Sequence, residues 1–316
     1  LTGKTKPARR HRDNRSYTEM SRTKANIFLL ACAAIWGAGF IAQSDAMAHI
    51  GPFFFIGLRF AVAMIAILPL ALREARGAKR PLNAFEWKAF GGIGFILFLG
   101  MASQQAGLLT TSVTNSGFLT GLYLIFVPIL GVLLYREWPH WVVWPAALAA
   151  LFGIFLLSGG RLDELVIGDW YTILCAVFWG LQILFITRYA NQSGRPVTLA
   201  VVQFAVTAFF GLAIAFLFET LDWSAVRLAA EEILFAGIFA GGIAFTLQSI
   251  GQRWTTAAQA AIFLSSEALF AALFDAILNG TRLNPIAALG CALIFGAMRA
   301  VELVPMWPRR STKATP

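Results

Sequence analysis

Apolar runs of about 17–25 residues, each bounded by charges or turn residues, recur along the whole chain. They predict ten helices near 26–44, 53–72, 88–108, 112–134, 141–158, 169–187, 198–218, 233–252, 256–278 and 285–304, joined by short loops. The stretch from Gly107 to Trp138, GLLTTSVTNSGFLTGLYLIFVPILGVLLYREW, stays uncharged until Arg136-Glu137. As one helix it is long enough to cross a ~30 Å hydrocarbon core. Thr110, Thr111, Ser112, Thr114, Asn115 and Ser116 crowd its first turns. Facing lipid, these groups would lack hydrogen-bond partners, so they are expected to face other helices or a water-filled cavity. The pattern thus predicts an all-α polytopic membrane protein.

The runs repeat. ACAAIWGAGF at Ala31–Phe40 is answered by LCAVFWGLQI at Leu174–Ile183, with Cys32, Trp36 and Gly37 matching Cys175, Trp179 and Gly180 at an offset of 143. Arg59-Phe60-Ala61-Val62 is answered by Gln203-Phe204-Ala205-Val206 at 144, and Thr110-Thr111 by Thr255-Thr256 at 145. Three matches in register indicate two five-helix repeats, 26–158 and 168–305, between a basic tail (1–25) and a short carboxy-terminal tail (306–316). Five being odd, the second repeat should cross the membrane in the opposite sense. Such inverted repeats place a binding site near the midplane, where equivalent residues face each other.

Composition agrees with the pattern: 58% of residues are hydrophobic and 13% charged, against roughly 25% charged in soluble domains, and mean hydropathy is +0.70. The net charge of +9 sits mostly in the flanks and loops. Of the 25 Lys and Arg, only Arg161, Arg227 and Arg282 fall on the side opposite the amino terminus, and Arg59 and Arg299 within spans. The excess of positive charge on one side puts both termini in the cytoplasm. It favours contact with anionic lipid headgroups over nucleic acid. Leu1–Lys24 is basic and polar, is read as disordered, and carries no recognisable cleavable signal.

Candidate chemistry lies with the few polar groups inside spans. Arg59 stands about two turns into the second span, where it could receive a carboxylate, reach up to the interface, or bond neighbouring carbonyls. Glu267, near the middle of span nine, forms an i, i+4, i+8 stripe with Gln259 and Phe263, with Ser266 alongside. It could bind an ammonium group, take up a coupling proton, or tie helices together. Asp275 and Arg299 lie nearer the faces and read as interfacial. Gln43, Gln104, Gln105, Asn115, Tyr123, Gln182, Gln203 and Gln248 could line a cavity or bond from helix to helix. Eight tryptophans fall near span ends, at headgroup depth. Trp36 and Trp179 instead sit halfway through equivalent helices, where they either pack between the repeats or touch a substrate. Pro128 is expected to kink span four, and Gly241-Gly242 to allow bending or close approach.

AAIWGAGF, GLLTTSVTNSGFLTGLYLIFVPILG followed by YREW, and TTAAQAAIFLSSEALFAALFDAILNGTRL resemble the EamA-type transporters of the drug/metabolite transporter superfamily over about residues 26–304. Glu267-Ala268 and Gly280-Thr281 stand where that family often has Glu-Pro and Gly-Glu, so roles tied to those residues do not carry over. The resemblance implies alternating-access export of small metabolites across a bacterial inner membrane. Its branches include an aromatic-amino-acid exporter (YddG-like) branch, which directs the expectation toward aromatic or other apolar amino acids; other branches handle cationic drugs, nucleosides or sugars.

Other functions are less well served. Cys32, Cys175 and Cys291 lie in separate spans, and His11, His49 and His140 lie in loops or the tail. No metal, disulfide or other cofactor is therefore expected, and a membrane-embedded enzyme lacks the clustered groups it would need. No nucleotide loop with Lys-Ser/Thr points to ATP. No charge ring or filter loop points to a channel. A lipid or lipid-linked-sugar flippase stays open. The partners expected are a small-molecule substrate and the bilayer. A monomer holds both halves of its own cavity, and a homodimer stays open.

Overall fold

The computed structural model describes residues 20–47, 49–160, 165–220, 222–278 and 284–306, without the side chains of 39–47, 113, 114, 275 and 278. The readings made above for the basic tail up to Glu19, the Gln43 amide, Asp275, Gly280-Thr281, Arg161, Arg282 and Trp307 lie outside the described residues. Among the described residues every regular element is helical and no strand occurs. The order is α1 (Arg22–Met47), α2 (Pro52–Arg76), α3 (Ala84–Leu108), α4 (Val113–Thr120), α5 (Tyr123–Tyr135), α6 (Val143–Leu157), α7 (Ile167–Ser193) and α8 (Pro196–Phe218). Then come α9 (Trp223–Leu228), α10 (Ala230–Phe235), a π-helical segment (Ala236–Ile243), α11 (Ala244–Gln252), α12 (Ala257–Leu264), α13 (Glu267–Leu278) and α14 (Pro285–Leu303).

Among the described residues, eight segments are long and apolar enough to cross a membrane: Pro52–Arg76, Ala84–Leu108, Asn115–Tyr135, Ile167–Ser193, Pro196–Phe218, Ala230–Gln252, Ala257–Phe274 and Pro285–Met306. The apolar α6 is shorter at 15 residues, about 22 Å of helix. Trp87, Trp138, Trp141, Trp170 and Trp223 are exposed at or near helix ends. Leu133, Phe209 and Phe216 are among the large apolar side chains exposed along the helices. Such a surface suits lipid and not water.

Three predicted spans are not simple helices. Span four breaks at Gly121-Leu122, between α4 and α5, while α5 runs through Pro128. The kink thus lies ahead of the proline, where Leu124 and Ile125 donate to carbonyls three residues back, Gly121 and Leu122, at 3.0 and 2.9 Å. Span nine breaks at Ser265-Ser266, whose hydroxyls donate to the carbonyls of Ile262 and Phe263 at 2.8 and 2.7 Å. Such back-bonding serines compete with the helical ladder and bend helices. Span eight widens into the π-helical turn that contains Gly241 and Gly242. The two breaks correspond residue for residue: α4 and α12 start and stop 144 residues apart, as do the N-caps Ser112 and Thr256, which accept from Asn115 N and Gln259 N.

α2 and α8, each opening with proline, pack along each other and cap each other reciprocally. The Glu219 carboxylate, just past α8, accepts from Phe53 N and Phe54 N at 2.9 and 2.8 Å. The Glu74 carboxylate, near the end of α2, accepts from Val197 N and Thr198 N at 3.0 and 2.7 Å, and from Thr198 Oγ1 at 2.6 Å. Each carboxylate meets the free N–H groups and positive dipole end of the partner helix. The two helices therefore run antiparallel.

Close approaches also come in pairs. A methyl group on Gly94 would lie 2.8 Å from Gln203 Cα and Val206 Cβ; one on Gly237 would lie 2.8 Å from the Arg59 carbonyl and 2.7 Å from Val62 Cβ. These partners exchange at the offset of 143–144 found in the sequence. Gly94→Ala and Gly237→Ala should each destabilise the protein by ~1–3 kcal/mol through overpacking. Gly92→Ala, whose added methyl meets nothing within 4 Å, should be neutral or slightly stabilising because Ala is the better helix former. Thermal unfolding in detergent, run side by side on the three variants, checks this.

Candidate functional site

A cavity of about 60 Å³ lies where the broken helices meet α1, α2, α3 and α7. Its walls are Trp36, Arg59, Met101, Gln104, Thr120, Tyr123, Trp179, Ile183, Ala236, Ala240, Phe245, Leu264 and Glu267. Many of these are repeat equivalents: Trp36 and Trp179 stand 143 apart, and Met101 and Phe245, Thr120 and Leu264, and Tyr123 and Glu267 each stand 144 apart.

The local chain explains the positions. Tyr123 and Glu267 are the first residues of α5 and α13, so each break delivers one polar side chain and one helix amino terminus to the cavity. The repeats supply a phenol from one side and a carboxylate from the other. The π-helical segment brings Ala236 and Ala240 to the wall, and the Ala240 carbonyl accepts from Trp36 Nε1 at 2.9 Å. Trp36, Trp179 and Phe245 form one aromatic cluster, with Trp36 edge-on to both others at 5.8 and 4.8 Å and Trp179 stacked on Phe245 at 5.7 Å.

Donors also converge here. The Trp179 indole N–H and the Thr120 hydroxyl are buried without an oxygen or nitrogen partner, and both approach the Cys175 thiol, a weak acceptor. Arg59 is 4% exposed, its guanidinium 5.3 and 4.9 Å from the Phe55 and Phe60 ring centres. It therefore stays inside the protein and does not extend to the interface. The cavity thus presents one carboxylate, one guanidinium, an amide, two hydroxyls and an indole donor within an aromatic wall.

Of the residues singled out from the sequence, Trp36, Arg59, Gln104, Tyr123, Trp179 and Glu267 line this cavity; among the others whose side chains are described, Asn115, Gln182, Gln203, Gln248, Gln259 and Phe263 do not. Gln182, Gln203 and Gln248 bond to one another: Gln182 Nε2 donates to Gln203 Oε1 and Gln248 Oε1 at 3.4 and 3.5 Å, and Gln248 Nε2 donates to Gln182 Oε1 at 3.1 Å. They join α7, α8 and α11 as an internal amide cluster. The expected stripe of Gln259, Phe263 and Glu267 is divided by the turn at Ser265-Ser266. Gln259 turns instead to Asn26, donating to its Oδ1 at 3.1 Å, and Phe263 is buried in the core. Asn115 is half-buried on α4, where its backbone N–H donates to the Ser112 cap. Met101, Ile183, Phe245 and Leu264 were not legible as lining residues, since apolar side chains read the same facing lipid, core or cavity, and Thr120 reads like any threonine that bonds within its own helix.

Discontinuous helices around a polar cavity inside an apolar bundle define a membrane transport protein. The sequence pattern of the EamA-like transporter family matches this chain twice, over residues 23–159 and 166–301, and the chain belongs to that family. An uncharacterized transporter from Archaeoglobus fulgidus is 32% identical over 286 residues, covering 90% of this chain and 87% of that protein. One solved crystal structure shares the fold with a TM-score of 0.76 at 21% identity, covering 91% of this chain and 100% of that one. The protein is a membrane transporter of the drug/metabolite type.

The two tryptophans differ in a way that can be measured. Trp36→Phe removes the indole hydrogen bond to the Ala240 carbonyl and should cost ~1–3 kcal/mol. Trp179→Phe breaks no bond to oxygen or nitrogen and should cost less than half as much. Chemical unfolding of both variants in one detergent distinguishes them.

Proposed function

We propose that the protein exports amino acids, aromatic or other apolar ones, by alternating access through this cavity. The observation that carries the reading is the joint presence of Glu267 and Arg59 beside the Trp36, Trp179 and Phe245 rings. A zwitterion with an apolar side chain offers an ammonium to Glu267, a carboxylate to the guanidinium and indole donors, and a face to the rings. Alternating access requires the cavity to open to each side in turn, and the breaks at 121–122 and 265–266 and the π-helical turn supply points of bending.

The proposed architecture is ten spans in two inverted repeats. The paired breaks, the exchange of glycine contacts, the antiparallel equivalents α2 and α8, and the double match to the family pattern support it. The proposed location is a bacterial inner membrane with both termini cytoplasmic. In support, several basic loops meet at one end of the bundle: Arg195 bonds the Arg80 carbonyl, Arg253 the Gly194 carbonyl, and Arg188 the Glu137 carboxylate.

The test is uptake of labelled amino acids into proteoliposomes, with and without an inward proton gradient, for the intact protein and Glu267→Gln. Saturable uptake of aromatic or apolar members, reduced at least tenfold in Glu267→Gln, is the expected result. Absence of uptake of every amino acid by folded protein overturns the substrate assignment.

A further inference from the structure

At the end of the bundle where the basic loops meet, a second cavity of about 430 Å³ opens between the loop that follows α2, the start of α3 and the start of α8. Lys79, Arg80 and Arg195 line it with Leu82, Trp87 and Thr198, and among the described residues no acidic side chain does. We propose that this groove binds the phosphate headgroup of an anionic membrane lipid.

The cations are held in different ways. Arg195 is 7% exposed, and its Nη2 donates to the Arg80 carbonyl at 3.0 Å, which fixes the guanidinium in the wall. Lys79 and Arg80 are exposed at the rim. Two carboxylates stand close by, and both are engaged by the protein. Glu86 accepts from Arg80 Nη1 and Nη2 at 2.7 and 2.6 Å and from Asn83 N at 2.9 Å. Glu74 accepts from Val197 and Thr198 at the start of α8. Three cations thus line the groove while the two nearby carboxylates are already engaged by the protein, a basic lining suited to a phosphodiester anion.

The setting argues for lipid as the source of that phosphate. Trp87, half exposed, lies in the first turn of an apolar span, where indoles mark headgroup depth. A headgroup in the groove would leave its acyl chains lying along the apolar helices below. The other end of the α2–α8 pair repeats the cap without the charge. Glu219 closes the start of α2 as Glu74 closes that of α8, yet residues 219–232 hold Glu219, Asp222, Glu231 and Glu232 against the single Arg227. The charge therefore belongs to one membrane face and is not a by-product of the duplicated fold.

Native mass spectrometry of the full chain in detergent, titrated with a phosphatidylglycerol and separately with a phosphatidylcholine, tests the proposal. Phosphatidylglycerol should bind preferentially. Lys79→Glu, an exposed position, removes one positive charge and adds a negative one, so it should weaken binding about 10- to 30-fold at roughly 1 kcal/mol per charge. Arg73→Glu, exposed on the same helix end but outside the groove, should change binding less than threefold at ~0.15 M salt, where screening acts over ~8 Å. Millimolar inorganic phosphate should not displace the lipid. Equal weakening by the two variants, equal binding of the two lipids, or displacement by inorganic phosphate would each overturn the lipid-headgroup site.

Discussion

Inside a bilayer each backbone N–H and C=O needs a partner from the protein, because lipid supplies none. That requirement makes the chain almost wholly helical, and it makes each departure from a regular helix costly unless other helices surround it. The departures observed are the turns at Gly121-Leu122 and Ser265-Ser266 and the π-helical turn at Ala236–Ile243. All three border one cavity, and there the irregular backbone is satisfied locally, by three-residue hydrogen bonds, serine hydroxyls and the Trp36 indole. The cavity and the broken helices are thus two aspects of one constraint.

The same requirement at the helix ends produces the α2–α8 pair. Each helix begins with proline, and each leaves free N–H groups that the partner's terminal glutamate accepts. These antiparallel helices, clamped at both ends, stand between the repeats and position Arg59 on the cavity wall. Positions 144 residues apart give the scaffold its pairing, while the different side chains at those positions give the cavity its polarity. Tyr123 and Glu267 occupy equivalent helix starts, as Met101 and Phe245 occupy equivalent wall positions. A symmetric frame therefore carries an asymmetric lining, with a single carboxylate set against a single guanidinium.

Much of the frame was legible in the sequence, because apolar run length and repeat offset are properties of residue type alone. The helix ends fall within a few residues of the expected ones, and Trp36 and Trp179 meet as their equivalence implied. The breaks were not legible, since the apolar runs continue through them; the paired serines at 265–266 were the visible signal, and Pro128 drew attention seven residues too late. The glutamines misled for a different reason. An amide inside a membrane can bond to another amide, and Gln182, Gln203 and Gln248 bond to one another, with Gln203 Nε2 left without a partner. Residue type records the need for a partner, and only the packing shows whether that partner is protein.

The most direct measurement is the accessibility of a single cysteine placed at Ala240 on the cavity wall, with Cys32, Cys175 and Cys291 replaced, to a membrane-impermeant thiol reagent in oriented vesicles. A cavity that opens alternately to the two sides predicts modification from either side in separate experiments, slowed on both by a transported substrate. Modification from one side only, or from neither, would contradict it.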